Sequence, residues 1–478
     1  MKGLGEGRPP AHAGLYTDLY QLRMAQAYLR DGTSEVPAVF DYFFRTLPFG
    51  GGFAVFAGLA DFVDLLDDLR FDADDIGYLR SLGFDEEFLR YLSGFRFGGA
   101  VTAVREGEIV LPLEPVVRVE GRLLESQIVE TALLNLLNFE SLVATKAARL
   151  RLAAGDRPIS EFGLRRAHGL GGIQASRAAV IGGCDSTSNV YAARAYGLQP
   201  SGTMAHSYVE SHVDELTAFR RFAESHPEGC VLLVDTYDTL RSGVPNAIIV
   251  AREMEGRGRR LFGVRLDSGD LARLSIETRR LLDEAGLTYV RIVASNLLDE
   301  YVIRSLNDQG APIDIFGVGT RLATGAPDGS LDGVYKIAEA GGEPRLKLSE
   351  SLTKTSLPGR KRIFRCLDGQ GRFAADAIAL EPESEVARIV HPFEPRTSLR
   401  LSGLRQEPLF VTVVEGGRRL SPSETTSGIA AYARQRLAAL PDEHKRFEKP
   451  HIYQVGLSEK LAALRDGLVR RLRLRIEG

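Results

Sequence analysis

Short apolar runs, each followed by a longer segment of helical spacing, recur through the middle of the chain. VLLVDT (231–236), RLFGVRLDSGD (260–270), YVRIVASN (289–296) and IDIFGVGT (313–320) are continuous in apolar residues instead of alternating, the pattern of parallel strands covered on both faces. The segments between them read as helices. PNAIIVAREMEG has Pro245 in its first turn, DLARLSIETRRLLDEAG starts at a capping Asp270 and stops at Gly286, and LDEYVIRSLNDQG ends at Gly310. Leu271, Leu274, Thr278, Leu281 and Leu282 make one stripe at a period near 3.6, so one face of that helix meets a sheet.

Upstream, RPISEFGLRRAHG (157–169), AAVIGGCDSTSN (178–189) and LQPSGTMAHSY (198–208) read as three further strand ends, with ASRAAVIG and VYAARAYG as short helices between them. Seven such units predict an α/β fold built on an irregular TIM-like (β/α) barrel. The expected division is an N-terminal α+β lobe over 1–130, the barrel over 131–340 and a C-terminal extension of strands and helices over 341–478. Glu161, Arg165, Asp185, His206, Asp235, Arg265, Asp267, Ser295, Asn296 and Thr320 each fall at or just after the carboxyl end of a predicted strand. In a βα barrel those ends converge on one mouth, where active sites of this architecture lie.

Composition narrows the chemistry. Against 63 acidic residues stand 60 Lys and Arg, a formal charge of −3, which gives no general field for nucleic acid or an anionic membrane. An anion site must therefore be local. The opening MKGLGEGRPPAHAG lacks the apolar core of a secretory signal, and no run of about 18 apolar residues occurs, so a cytoplasmic protein is expected. Cys184, Cys230 and Cys366 are far apart, with no CxxC spacing; core thiols are expected, not a disulfide framework or zinc ribbon.

Two strand ends carry anion-binding chemistry. GVGT (317–320) puts a hydroxyl beside glycines whose bare backbone allows close approach, and ASN (294–296) repeats the theme one unit earlier. Arg265 in GVRLDSGD can offer a planar fork to a phosphate or carboxylate. Asp267 and Asp270, three apart, could receive ribose hydroxyls or hold Mg²⁺ through water, although Asp270 also reads as a helix cap. His206 in GTMAHSYV stands away from any second metal-ligand candidate at helical spacing, and no side chain is singled out as a direct metal ligand.

TDLYQLRMAQAYLRDG (17–32), FDYFFRTLPFGGGFAVFAGL (40–59), EFGLRRAHG (161–169), GGCDSTSNV (182–190), GTMAHSYV (202–209), VDTYDTLRSGVPNAI (234–248), GVRLDSGDL (263–271), IFGVGTRLATG and LDGVYKI, in that order, closely resemble the nicotinate phosphoribosyltransferase family. The resemblance implies joining of nicotinate to 5-phosphoribosyl 1-diphosphate (PRPP), giving nicotinate mononucleotide and pyrophosphate with coupled ATP hydrolysis, in NAD salvage. It implies Mg²⁺ accompanying ATP and PRPP, and a homodimer whose active sites lie at the subunit interface. By position it makes His206 a phosphohistidine, gives Tyr16, Thr203 and Arg265 contacts to nicotinate, and gives Thr320, Gly319, Ser295, Asn296 and Arg165 contacts to phosphate. The expected catalytic group is His206, Arg265, Arg165 and Asp267, and Asp185 either meets the base or orders a loop. Two alternatives stay open: a sister enzyme acting on nicotinamide or quinolinate, and a catalytically silent NAD-pathway sensor or scaffold.

The flanks say less. A helix over Thr17–Arg30 capped by Thr17, another over Gly58–Leu69, a turn at FGGGF (49–53) and the β-rich GGAVTAVREGEIVLPLEPVVRVEG make up the N-terminal lobe. KRIFRCL and LFVTVVEGG read as strands, SEKLAALRDGLVRRLRLRIEG as a helix with a solvated basic face, and TKTSLPGRKR (353–362) as a basic loop.

Overall fold

The computed structural model describes residues 13–348, 356–394 and 396–477; residues 353–355 of the basic TKTSLPGRKR loop lie outside the described residues. Two compact units emerge, one from Lys146–Pro327 and the other from the described residues up to Thr145 together with those from Asp328 onward.

The central unit is a parallel α/β structure. Its strands are β1 (Ile159–Glu161), β2 (Ser186–Thr187), β3 (Val231–Leu233), β4 (Gly263–Leu266), β5 (Arg291–Ser295) and β6 (Ile315–Val318), ordered β2-β1-β6-β5-β4-β3. Every ladder is parallel, so all six carboxyl ends emerge on one rim. The four apolar runs lie at β3 to β6, and the core beside them is Val, Leu, Ile and Ala from strands and helices alike. Helix Val244–Gly256 has Pro in its first turn. Helix Leu271–Glu284 has Asp270 as N-cap, accepting the Arg273 N–H at 3.1 Å, and helix Glu300–Asp308 is capped by Asp299.

The closed barrel expected from seven units is not what the hydrogen bonds make: among the described residues the sheet is open. The LQPSGTMAHSY segment adds only a single parallel bridge, Pro200 to Thr187, outside β2. Gly202, with Pro200 just before it, supplies little for a strand, and the chain turns instead into a short helix at His206–Glu210. The sheet still curls. His206 beyond one edge reaches Asp235 beyond the other at 3.1 Å, so side chains span the gap where a ladder would close a barrel.

An ion triad pins the unit from within. Lys146 Nζ and Arg149 Nε lie 2.6 and 2.8 Å from the two oxygens of Glu300, all three side chains being buried. Burial pushes the Glu300 carboxyl upward, but the two cations outweigh it and hold it below the ordinary carboxylate range.

The other unit holds two large sheets and a two-stranded ribbon of Ala54–Val55 with Ile109–Val110. In the seven-stranded one, Pro37–Phe44 is flanked by antiparallel Gly333–Ala340 and Val117–Arg122. In the six-stranded one, Lys361–Leu367 pairs antiparallel with Phe373–Leu380, which pairs parallel with Val455–Ser458. The N-terminal helix spans Leu19–Arg30 with Asp18, not Thr17, at its N-cap; Thr131 donates to the Asp18 carboxylate at 2.9 Å. A stretch over Leu123–Ala154 is long and apolar enough to cross a membrane by composition, but 72% of its apolar window is buried within the protein, as a core helix is. Between the strands, Arg365 is fully buried and paired with Asp376 and Glu108, each at 2.6 Å. Burial, with Asp376 nearby, raises the neighbouring Glu114 well above the ordinary carboxylate range.

The triad generates a prediction. Glu300→Gln removes the carboxylate that two buried cations share, and should cost about 3–5 kcal/mol of stability, read by urea unfolding followed by far-UV circular dichroism. Because the folded carboxyl titrates below its unfolded value, the wild-type advantage should be full at neutral pH. It should shrink as pH falls below about 4.3.

Candidate active site

The site is assembled at the carboxyl rim of the six strands. Register does the first part of the work: Val293 of β5 lies beside Arg265 of β4, Ser295 beside Gly317 of β6, and Val318 beside Glu161 of β1. Residues far apart in sequence therefore leave the sheet at one level.

Arg265 stands at the centre, with 8% of its surface exposed. Its Nε donates to Ser295 Oγ at 2.9 Å, one terminal nitrogen to Thr203 Oγ1 at 3.0 Å and the other to Asp267 Oδ1 at 2.9 Å. Ser295 Oγ also donates to the same Asp267 oxygen. The guanidinium lies 5.5 Å from the centroid of the Phe162 ring. That ring is seated against bare backbone, for a Cβ on Gly317 would come within 2.5 Å of it.

His206 sits at the gap with 38% of its side chain exposed. Its Nε2 is held by Asp235 Oδ1, and the second Asp235 oxygen accepts the Asp267 N–H at 2.9 Å and the Ser268 hydroxyl at 2.6 Å. Asp235 is itself fixed by a tight return of the chain after β3. Gly243 packs there so closely that a Cβ would meet the Val234 carbonyl at 1.8 Å. With Nε2–H donated to a carboxylate, Nδ1 carries the free lone pair. One hydrogen-bonded chain thus runs from His206 through Asp235 and Asp267 to Arg265, Ser295 and Thr203.

The residues expected to meet phosphate lie beside it. Ser295 is followed by Asn296 and Leu297, both at positive φ (84° and 48°); two such residues in succession turn the chain sharply off the strand. Gly319 precedes the short helix Thr320–Ala323, and among the described residues no hydrogen bond takes the Thr320 hydroxyl.

Four candidates stand elsewhere. Asp185 lies at the opposite, amino end of the sheet: it accepts the N–H of Ile159, where β1 starts, at 2.8 Å and pairs with Arg151. Strand β2 begins only after it, so the expectation of Asp185 at a carboxyl end is corrected. Asp270 caps a helix. Arg165 is exposed on the loop after β1, and among the described residues no hydrogen bond ties it to the cluster. Tyr16, in the other unit, is half-buried, its hydroxyl donating to Asn135; burial raises its pKa. Glu161 is a buried strut, accepting the Ser176 and Thr187 hydroxyls at 3.0 and 2.6 Å and the Gly163 N–H. The sequence reading missed the pairing of Asp235 with His206 and passed over Phe162; its only signal was an aromatic between Glu161 and Gly163 at a strand end.

A planar cation over an aromatic ring, hydroxyls on two neighbouring strand ends and a carboxylate-held imidazole thus share one α/β rim. The comparisons with known proteins give the family. Residues 15–138 match the nicotinate phosphoribosyltransferase (NAPRTase) N-terminal domain, 158–370 the NAPRTase family, and 360–465 its C-terminal domain. The chain is 43% identical to a nicotinate phosphoribosyltransferase of Bacillus subtilis over 474 residues, covering 97% of this chain and 96% of the relative. To the human one it is 36% identical, covering 97% and 98%. Among solved structures, human nicotinic acid phosphoribosyltransferase superposes with a TM-score of 0.84 at 36% identity, covering 95% of this chain and 99% of that one. A Pyrococcus furiosus structure described as nicotinate-nucleotide pyrophosphorylase gives 0.71 at 27% identity, covering 90% and 96%. The chain belongs to the nicotinate phosphoribosyltransferase family.

The geometry predicts the His206 tautomer. In ¹⁵N spectra of the imidazoles, His206 should be protonated at Nε2 when neutral. Asp235→Asn should shift protonation toward Nδ1, and an unchanged tautomer in that variant would remove Asp235 from this role.

Proposed function

We propose that this chain joins nicotinate to PRPP, forming nicotinate mononucleotide and pyrophosphate, and couples the reaction to ATP hydrolysis through His206. The observation that carries this reading is the hydrogen-bonded chain from His206 to Arg265, which links a nucleophilic imidazole to an anion-binding guanidinium.

In the first step Nδ1 of His206 attacks the γ-phosphorus of ATP. An N–P bond forms, the bridging P–O bond breaks and ADP leaves. Asp235 holds Nε2–H, orients the ring and offsets the positive charge that develops on it, the role a carboxylate plays toward histidine in acyl transfer. In the second step the pyridine nitrogen of nicotinate attacks the anomeric carbon of PRPP as the bond to pyrophosphate breaks, through a transition state of oxocarbenium character. No general base is needed, since the pyridine nitrogen already has its lone pair. Positioning and charge do the work: Phe162 gives the heteroaromatic ring a flat face, Arg265 and Thr203 meet its carboxylate, and Ser295, Asn296, Gly319 and Thr320 receive phosphate oxygens, with Arg165 reaching in from its loop. Water finally cleaves the N–P bond.

Mg²⁺ fits the donor set modestly. Asp235 is committed to His206, Asp267 and Ser268, whereas one oxygen of Asp267 is free of Arg265 and Ser295, so Asp267 is the residue that would hold the ion, through water. When bound with ATP and PRPP it supplies charge neutralisation to their phosphates. The same proposal includes a homodimer in which Tyr16 serves the partner's site, and a cytoplasmic location, which suits three buried, unpaired thiols. Burial pushes Cys230 and Cys366 up to about 12, away from thiolate chemistry.

Incubation with γ-labelled ATP should leave one acid-labile phosphoryl group on His206. His206→Asn should abolish labelling and ATP stimulation while leaving slow, ATP-independent synthesis; retained ATP coupling would take His206 out of the mechanism. Arg265→Lys, which loses the planar fork, should raise KM for nicotinate by about 10- to 100-fold, as expected for one charge-assisted pair. Turnover of nicotinamide or quinolinate comparable to nicotinate would favour the sister activities. Mixing Tyr16→Ala with His206→Asn protein should restore activity if the sites are shared.

A further inference from the structure

We propose that Glu443, His444 and His451 form a binding site for a divalent transition metal of the zinc type, in the unit that does not carry the His206 cluster. Each offers one ligand atom, and these atoms lie within 4.8 Å of one another. In tetrahedral zinc coordination, with Zn–N and Zn–O near 2.0–2.2 Å, ligand atoms stand about 3.4 Å apart. Glu443 and His451, the two exposed members, are the side chains that would rotate to close that difference around the buried His444.

The loop is built to present them. Asp442–His444 is one turn of 3₁₀ helix, and the chain then returns so that the His451 N–H meets the Glu443 carbonyl at 2.9 Å. The Glu-His-x6-His spacing is thereby folded into neighbours. Gly52 packs against this loop with no room for a side chain, since a Cβ would lie 2.2 Å from the His444 carbonyl.

The imidazole of His444 is prepared in the manner of a metal ligand. It is buried at 7% exposure, its Nδ1 donates to the His451 carbonyl at 2.7 Å, and Tyr453 packs edge-on against its ring. A donor bond of this kind to a backbone carbonyl orients metal-bound histidine and leaves Nε2 with the lone pair. The Glu443 carboxylate and the His451 ring nitrogens, by contrast, make no hydrogen bond or ion pair among the described residues. The two histidine rings stack at 5.4 Å. Both Glu443 and His451 border a cavity of about 1120 Å³, so a fourth coordination position would face solvent. Two imidazoles and a carboxylate suit zinc and its neighbours over calcium or magnesium.

The test uses tag-free full-length protein, stripped with chelator and then titrated with Zn²⁺ against a chromophoric competitor. One Zn²⁺ per chain is expected, with affinity at least tenfold weaker in His451→Ala and in Glu443→Gln, and with nicotinate-dependent turnover without added zinc unchanged in both. X-ray absorption should show nitrogen and oxygen near 2.0–2.1 Å. Wild-type affinity in both variants, a sulfur ligand near 2.3 Å, or no stoichiometric binding would overturn the proposal. Glu443 is exposed, so Glu443→Gln keeps the test decisive if His451→Ala folds poorly.

Discussion

A guanidinium with 8% of its surface exposed must be matched closely or it destabilises the fold that contains it. Arg265 is matched by one charge, two hydroxyls and an aromatic face, and each comes from a different piece of chain. Ser295 fixes β5 against β4, Thr203 draws in the segment beyond the Pro200 bridge, and Asp267 is held in the turn after β4. Once Asp267 is held, its own N–H points at Asp235, and Asp235 in turn receives His206. The alignment of the imidazole follows from satisfying the arginine.

The open sheet belongs to the same logic. A ladder between the Pro200 segment and β3 would occupy the backbone at the place where His206 and Asp235 meet. Leaving that seam to side chains puts a solvent-accessible imidazole at the rim while its carboxylate partner stays 1% exposed. Hydrogen bonds to a buried carboxylate gain strength from low surrounding dielectric, so the seam is firm without being covalent or laddered.

Most of this was legible in the chain, for reasons that particular residues make plain. The runs at β3 to β6 are buried on both faces, and continuous Val, Ile and Leu betray that directly. Asp185 was misplaced because β2 is two polar residues long and carries no apolar signature, while the apolar AAVIG before it belongs to helix Gly171–Gly182. The pairing of Asp235 with His206 could not be read at all: it crosses the seam of an open sheet, where neither periodicity nor register connects the two residues. The Glu443, His444 and His451 cluster was invisible for a similar reason, since a backbone bond between residues eight apart in a loop leaves no trace in composition.

Charge decides what the proposed phosphorylation at this rim would accomplish. A phosphoryl group on His206 adds about 1.5 to 2 negative charges beside a carboxylate that is already buried and fully bonded. Asp235 cannot leave, because Asp267 and Ser268 hold its second oxygen, so Nε2–H remains the donor and the ring stays charged between two anions. Arg265 is the cation at the far end of that hydrogen-bonded chain. Added negative charge at one end makes the low-dielectric rim more favourable for cationic character nearby, whether on the guanidinium or in a ribosyl group losing pyrophosphate. In the proposed reaction the energy of the N–P bond would thus reach the reacting carbon as field and position, without phosphoryl transfer to either substrate.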